Sequence, residues 1–247
     1  MKPIAIIPAR FASTRLPGKP LLNIGGIPMI VRVMNNVEQS QLFSRVIIAT
    51  DHLEIQQIVE SSGGEAIMTL ESHKNGTDRI LEVVEKCGIH NEHIVNVQGD
   101  EPFISHDILK GVVELLINSK FQITTSAEPI HEKEIYLNLN SVKVIIDQMQ
   151  RAMYFSRSPI PCYRDSEIPE KNIAWKHIGI YGFKPMVFDQ LSKLTSTKLE
   201  EIEKLEQLRW LEHGFSIGVA TPLHPFSISI DTPEDIIRAE LHWRSLH

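Results

Sequence analysis

IAIIPARFASTRLPGK, residues 4–19, sets the reading of this chain: an apolar run, Ile4 to Ile7, suits a strand and leads into a loop dense in cations and hydroxyls. Working outward, the pattern repeats. Arg45 to Ala49, Glu65 to Met68 and Ile94 to Val97 read as further β-branched strands. Between them Pro28 to Gln39, Leu53 to Ser61, Thr77 to Lys86 and His106 to Asn118 carry apolar residues at three- and four-residue spacing, with Gly63-Gly64 and Gly88 as stops. Such alternation predicts an α/β fold of parallel strands joined by right-handed crossovers, with ligands beyond the carboxyl ends of the strands.

Past residue 120 the alternation loosens. Ile123 to Ser126, Val142 to Ile146, Ala152 to Phe155 and Trp175 to Phe183 read as strands, with Pro159 to Lys171 as a surface loop. Leu199 to Glu212 reads as one helix with a solvated acidic face, turning Leu199, Ile202, Leu205 and Leu208 inward. A strand over Ile228 to Ile230 and a helix to about Ser245 close the chain as another βα unit. With no internal repeat and no linker, residues 1–247 are expected to form one domain.

The 247 residues are 42% hydrophobic, 23% charged and 6% aromatic, which excludes disorder and collagen-like repeats. No run reaches the roughly 18 apolar residues of a membrane span, and Arg10 follows the first apolar run where a signal peptide would have a cleavage site, so a cytoplasmic protein is expected. Cys87 and Cys162 form no C-x-x-C pair and are expected as reduced thiols. The net charge of −6 disfavours nucleic acid as a partner. Against it, Lys2, Arg10, Arg15, Lys19 and Arg32 precede the first carboxylate, Glu38, so the N-terminal segment is suited to something anionic.

Three constellations carry the chemistry. The loop from Pro8 to Lys19 offers backbone N–H groups, Ser13, Thr14 and three cations, enough to surround a triphosphate. It is not a Walker A loop, because Pro20 follows Gly18-Lys19, and the chain has no G-x-G-x-x-G; a solvated basic loop is the plain alternative. In NVQGDEP, Asn96 to Pro102, Asp100 ends a strand in the manner of a magnesium ligand. Its plain alternative, capping the next helix, falls better to Ser105. In SIDTPED, Ser229 to Asp235, Thr232 suits an N-cap, Pro233 the first helical position and Asp235 the acidic partner of a capping box. That leaves Asp231 spare to join Asp100 on a metal ion. The histidines lack zinc-site spacing, and no G-x-S-x-G elbow is present.

Read together, PARFASTRLPGKPL, ATDH (Ala49 to His52), HKNGTDR (His73 to Arg79), VNVQGDEP, YFSR (Tyr154 to Arg157), HIGIYGF, LEQLR and IDTPED resemble, in order, the 3-deoxy-manno-octulosonate (Kdo) cytidylyltransferase family. The resemblance runs from residue 4 to about residue 240. It implies a Rossmann-like nucleotidyltransferase fold with a mostly parallel central sheet and a dimerisation insertion, and transfer of CMP from CTP to the anomeric hydroxyl of Kdo with release of pyrophosphate. It implies Arg10, Ser13, Arg15 and Lys19 on the triphosphate beside Pro8 and Ala9, and Asp100 with Asp231 on Mg2+. Ala49, Thr50, Asp51, Asn75, Gly76 and Thr77 would surround the cytosine, with Arg79 also among the CTP-binding residues. Gln98, Arg157, Arg164, His177, Tyr181, Glu206 and Gln207 would surround Kdo, with an arginine on its carboxylate. Lys19, Arg15 and the two aspartates would carry catalysis. A homodimer is implied, with about 123–181 as the contact. Two positions depart from the family pattern: Asn75 stands where Ser is usual, and Cys162 near a usual Trp. A cytidylyltransferase for 8-amino-Kdo or a sialic acid, and a silent CTP-binding regulator, are the other readings.

Overall fold

The computed structural model describes residues 2–12, 16–73, 75–164 and 174–246. The chain divides into two compact units, Met1–Lys110 with Phe226–His247, and Gly111–Pro225. In the first unit the elements are β1 (Ile4–Ala9), β2 (Asn23–Ile24), β3 (Ile27–Pro28), α1 (Met29–Gln39), β4 (Arg45–Thr50), α2 (Leu53–Ser61), β5 (Glu65–Met68), α3 (Gly76–Lys86), β6 (Ile94–Asn96) and the start of α4 (His106–Asn118). The strands pair in parallel in the order β6, β1, β4, β5. The expected βα alternation is therefore borne out. β1 is buried along almost its whole length, which is why it reads as a continuous apolar run instead of an alternating one.

The chain runs outward from β1 to β4 and β5, then returns to β6 on the other side of β1. The crevice beyond the carboxyl ends of β1 and β6 is thus a topological switch point, the usual ligand position of an open α/β sheet. Gly99, just after β6, is required there: a Cβ at this position would lie 2.6 Å from the carbonyl oxygen of Pro8. Helix α1 buries Met29, Ile30, Val33, Met34 and Val37 on one face. Helix α3 starts at Asn75, whose side chain accepts from the Asp78 N–H at 2.7 Å, a cap worth about 1 kcal/mol. Glu82 of α3 ties down the segment before that cap, accepting from the Leu70 N–H, His73 and Lys86. Although burial pushes the other way, Lys86, the Leu70 N–H and His73 together draw the Glu82 carboxyl from 4.5 to about 2.

The second unit continues with the rest of α4, then β7 (Ile123–Pro129), α5 (Lys133–Leu137), β8 (Lys143–Ile146), β9 (Ala152–Ser156), β10 (Trp175–Phe183), α6 (Pro185–Leu191), α7 (Lys198–Glu203), α8 (Glu206–Glu212) and β11 (Ile217–Ala220). Here β7 pairs with β11 in parallel and with β10 in antiparallel fashion, and β8 joins β10 to β9 antiparallel. Trp210, almost fully buried, packs edge-on against Tyr181 and Phe183. In the first unit α9 (Pro233–Ser245) follows. Helices α5 and α6, strand β11 and the β2–β3 hairpin were not legible as periodic segments, each being short. Residues 165–171 of the expected surface loop lie outside the described residues.

Two expectations are corrected. The helix expected over Leu199 to Glu212 is broken at Lys204, which takes a left-handed φ of 54°, and Ile202 is 76% exposed instead of turned inward. The break serves a contact made elsewhere: Ser156 Oγ and the Arg157 N–H donate to the Glu203 carboxylate, and the Arg157 Nε donates to the Glu203 carbonyl. Ile228 to Ile230 forms no strand. Instead the Ile230 N–H makes a backbone bond to the Asp100 carbonyl at 3.0 Å, with the capping box of Thr232 and Asp235 formed as expected just after it.

Two outcomes follow from this packing. Gly99→Ala forces a Cβ against fixed backbone and is expected to destabilise the protein by about 1–3 kcal/mol, read by urea denaturation. Glu82 contributes stability that is complete above its ordinary value of 4.5 and lost as pH falls from there toward about 2, because its folded-state value is depressed. Melting curves across that window should therefore show a smaller acid-induced drop for Glu82→Gln than for the natural chain.

Candidate active site

Beyond the carboxyl ends of β1 and β6 lies a cavity of about 520 Å³ lined by Pro8, Ala9, Arg10, Lys19, Gly76, Gln98, Asp100 and Asp231, together with Ala12, Pro20, Met29 and Gly99. Residues expected from three separate motifs thus meet in one place. Gly18, at φ 66°, turns the chain into a short 3-10 turn at Lys19–Leu21 and donates its N–H to the Phe11 carbonyl at 3.1 Å, drawing the two ends of the loop together. Ser13 and Arg15 lie outside the described residues.

Lys19 is the centre of the site. Its ammonium donates to Asp100 Oδ2 at 2.6 Å, to Asp231 Oδ1 at 3.2 Å and to the Ile230 carbonyl at 2.5 Å. Burial alone would pull its pKa down, but Asp100 and then Asp231 outweigh that and hold it above the ordinary lysine value. The two aspartates, 131 positions apart in the sequence, therefore share one cation. Asp231 reaches this position because Asp235 Oδ2 accepts both the Asp231 and the Thr232 N–H groups, at 2.9 and 2.8 Å. Two carboxylates beside one cation are a hard-oxygen donor set of the kind magnesium takes, with its other ligands left to phosphate and water. Among the described residues no group of three or more His, Cys, Asp or Glu gathers for a metal, so the pair is what the chain itself offers.

The residues expected around the cytosine divide. Gly76 lines the cavity, and a Cβ added to it would lie 3.4 Å from the Pro8 ring. Ala49, Thr50 and Thr77 are buried, and Asn75 caps α3. Asp51 and Arg79 turn to each other in a buried ion pair of 2.7 Å, with Asp51 also accepting from the Phe11 N–H. Removing one member of such a pair costs about 3–5 kcal/mol, because the remaining charge is stranded. Both side chains are committed within the protein.

Of the residues expected around Kdo, Gln98 belongs to the first unit and the others to the second. His177 and Tyr181 are neighbours, with ring centroids 5.3 Å apart, and Glu206 helps raise the Tyr181 hydroxyl well above its ordinary pKa, after burial as the larger cause. Burial and the charge of Lys176 depress His177 to about 3, so its imidazole is neutral near pH 7. Thr125 Oγ1 lies 2.9 Å from its Nε2 and is also within hydrogen-bond reach of the Ile178 and Ile180 carbonyls. Gln207 is buried at the start of α8, and Arg164 is exposed.

Arg157 is anchored in the second unit: its guanidinium donates to the carbonyls of Glu203, Leu139 and Lys204 and so holds the α7–α8 turn, which leads into Glu206 and Gln207. Two residues absent from the expectations also stand out: Phe11 and His52 stack face to face, 3.8 Å between centroids, at the root of the first loop. Both lie within motifs singled out in the sequence, but only the fold pairs them.

The arrangement has counterparts among known proteins. A solved structure of CMP:2-keto-3-deoxy-manno-octonic acid synthetase complexed with CTP is 34% identical, covers 100% of both chains and superposes with a TM-score of 0.92. A 4-diphosphocytidyl-2C-methyl-D-erythritol synthase from Anaerococcus prevotii DSM 20548 shares the fold alone, at 16% identity, a TM-score of 0.64, and 98% and 99% coverage of this chain and that one. The cytidylyltransferase family profile matches residues 4–217, the span that holds the cationic loop, Asp100 and the sheet. On that match and that likeness, and as its ordered motifs implied, the chain belongs to the cytidylyltransferase family, whose members are nucleotidyltransferase enzymes.

Proposed function

We propose that this enzyme transfers CMP from CTP to the anomeric hydroxyl of Kdo, giving CMP-Kdo and pyrophosphate. The observation that carries the reading is the Lys19 ammonium held by Asp100 and Asp231 in the cavity beyond β1 and β6. Whole-chain likeness to a synthetase of that name supports the choice of sugar. The reading places the reaction in the cytoplasm, with the enzyme as a homodimer. Leu137, Leu139 and Met153, exposed apolar residues within 123–181, support that segment as the contact.

The chemistry asks mainly for positioning and charge. Attack of the sugar hydroxyl on the α-phosphate puts negative charge on phosphate oxygens and on the departing pyrophosphate. Lys19 and Arg10 are the described cations at the cavity, and fixed cations there stabilise that charge without reorganising. Asp100 and Asp231 would hold Mg2+, which when bound supplies a Lewis acid for the phosphate oxygens. Gln98 lines the same cavity and offers an amide there. His177, neutral near pH 7, cannot serve as the cation for the sugar carboxylate. Arg157, which keeps a second N–H on each of Nη1 and Nη2, and the exposed Arg164 are the arginines of the expected set for that carboxylate.

Incubation with CTP, magnesium and either Kdo or N-acetylneuraminate, with pyrophosphate measured, tests the proposal. Release with Kdo only is expected, whereas release with N-acetylneuraminate only, or with neither, overturns it. Under saturating magnesium and both substrates, Asp100→Asn is expected to lower kcat by about 100-fold, the scale of one lost electrostatic contact.

A further inference from the structure

His52 occupies the N-cap of α2, a position that favours Ser, Thr, Asp or Asn, yet its side chain makes no capping hydrogen bond. Its Nδ1 is buried with no partner among the described residues. A residue that serves its own helix so poorly is explained by a contact elsewhere. That contact is the Phe11 ring, stacked on the imidazole at 3.8 Å and 11°. The backbone of the same phenylalanine is fixed too: its N–H donates to Asp51 Oδ1 at 3.2 Å, and its carbonyl accepts from Gly18. A Cβ added to Gly18 would meet the Phe11 ring at 3.6 Å. Phe11 is therefore held on its ring, its N–H and its carbonyl.

The hold is itself braced. Asp51 Oδ2 accepts from Arg79 Nη2, Arg79 Nη1 donates to Thr69 Oγ1, and Thr69 Oγ1 donates to the Thr50 carbonyl. Arg79 is wholly buried in the first turns of α3, and Asp51 follows directly on β4. The ends of β4 and α3 are thereby locked to the root of the loop that runs from Phe11 to Lys19. We propose that Asp51 and His52 are positioning residues that fix Phe11, and through it set the grip of this loop on the triphosphate of CTP. The inference rests on the reading of that loop as the phosphate cradle given above. It moves Asp51 from the cytosine, and Arg79 from direct contact with CTP, to the support of the loop.

Equilibrium titration of the enzyme with CTP and with CMP, without sugar, tests it in the His52→Ala and His52→Phe variants. His52→Ala should weaken CTP about two- to tenfold, the range carried by one aromatic pair, and CMP less; His52→Phe, which keeps the stack, should restore CTP binding. In turnover, His52→Ala should raise the KM for CTP and leave the KM for Kdo unchanged. Equal losses for CTP and CMP, a parallel rise in both KM values, or no recovery in His52→Phe would overturn the proposal. Should His52→Ala not fold, Phe11→Leu removes the stack from the other side and is held to the same outcomes. If CTP binds as described but no CMP reaches Kdo, the assignment of the sugar fails and the anchor stands.

Discussion

A single ammonium group, that of Lys19, sits against two carboxylates and a backbone carbonyl drawn from two distant stretches of sequence. Without a cation at that point Asp100 and Asp231 would repel each other in a partly enclosed space, where charges interact far more strongly than in water. The arrangement of the first unit serves this meeting. β1 and β6 lie side by side so that their following loops converge, Gly99 omits a side chain so that its strand end can pass the Pro8 carbonyl, and Ile230 bonds to the Asp100 backbone. A nucleoside triphosphate with its counter-ion would enter a place where positive and negative groups are already set in opposition.

The parts of this that were legible in the sequence are the local ones. Apolar spacing marked β1, β4, β5 and β6 and the helices between them, because each buries one face or both within a few residues of chain. Capping logic also carried far: once Thr232 and Ser105 were given the helix starts, Asp231 and Asp100 had no local duty, and the structure brings those two together. What was not legible depends on partners far along the chain. Nothing near Lys204 announces a break in the helix; the reason is Arg157, about 46 residues earlier, whose guanidinium needs the carbonyls that the break exposes. Asp51 reads as a loop carboxylate until Arg79, 28 positions on, is found against it.

The two units spend their buried polar groups differently. In the first, the charged pairs Asp51–Arg79 and Lys19 with its aspartates sit next to or inside the cavity, where they hold loops in position. In the second, Lys143 is fully buried with its ammonium on the carbonyls of Asn138, Ser141 and Arg157, and burial lowers its pKa. Such a group defines local chain geometry and has no donor left over for a ligand. Buried charge in this protein is thus chiefly a device for fixing backbone, with chemistry confined to the few groups that face open space.

Asp235 has one further implication. Because the same oxygen that starts α9 also receives the Asp231 N–H, the order in which the polypeptide is made decides when the carboxylate pair can exist. A nascent chain that has not yet extended past residue 230 can carry the whole cationic loop and Asp100 while lacking the other half of the pair and the helix that sets it. The pair of carboxylates around Lys19 is thus completed late in synthesis, after every described strand of the sheet has been made.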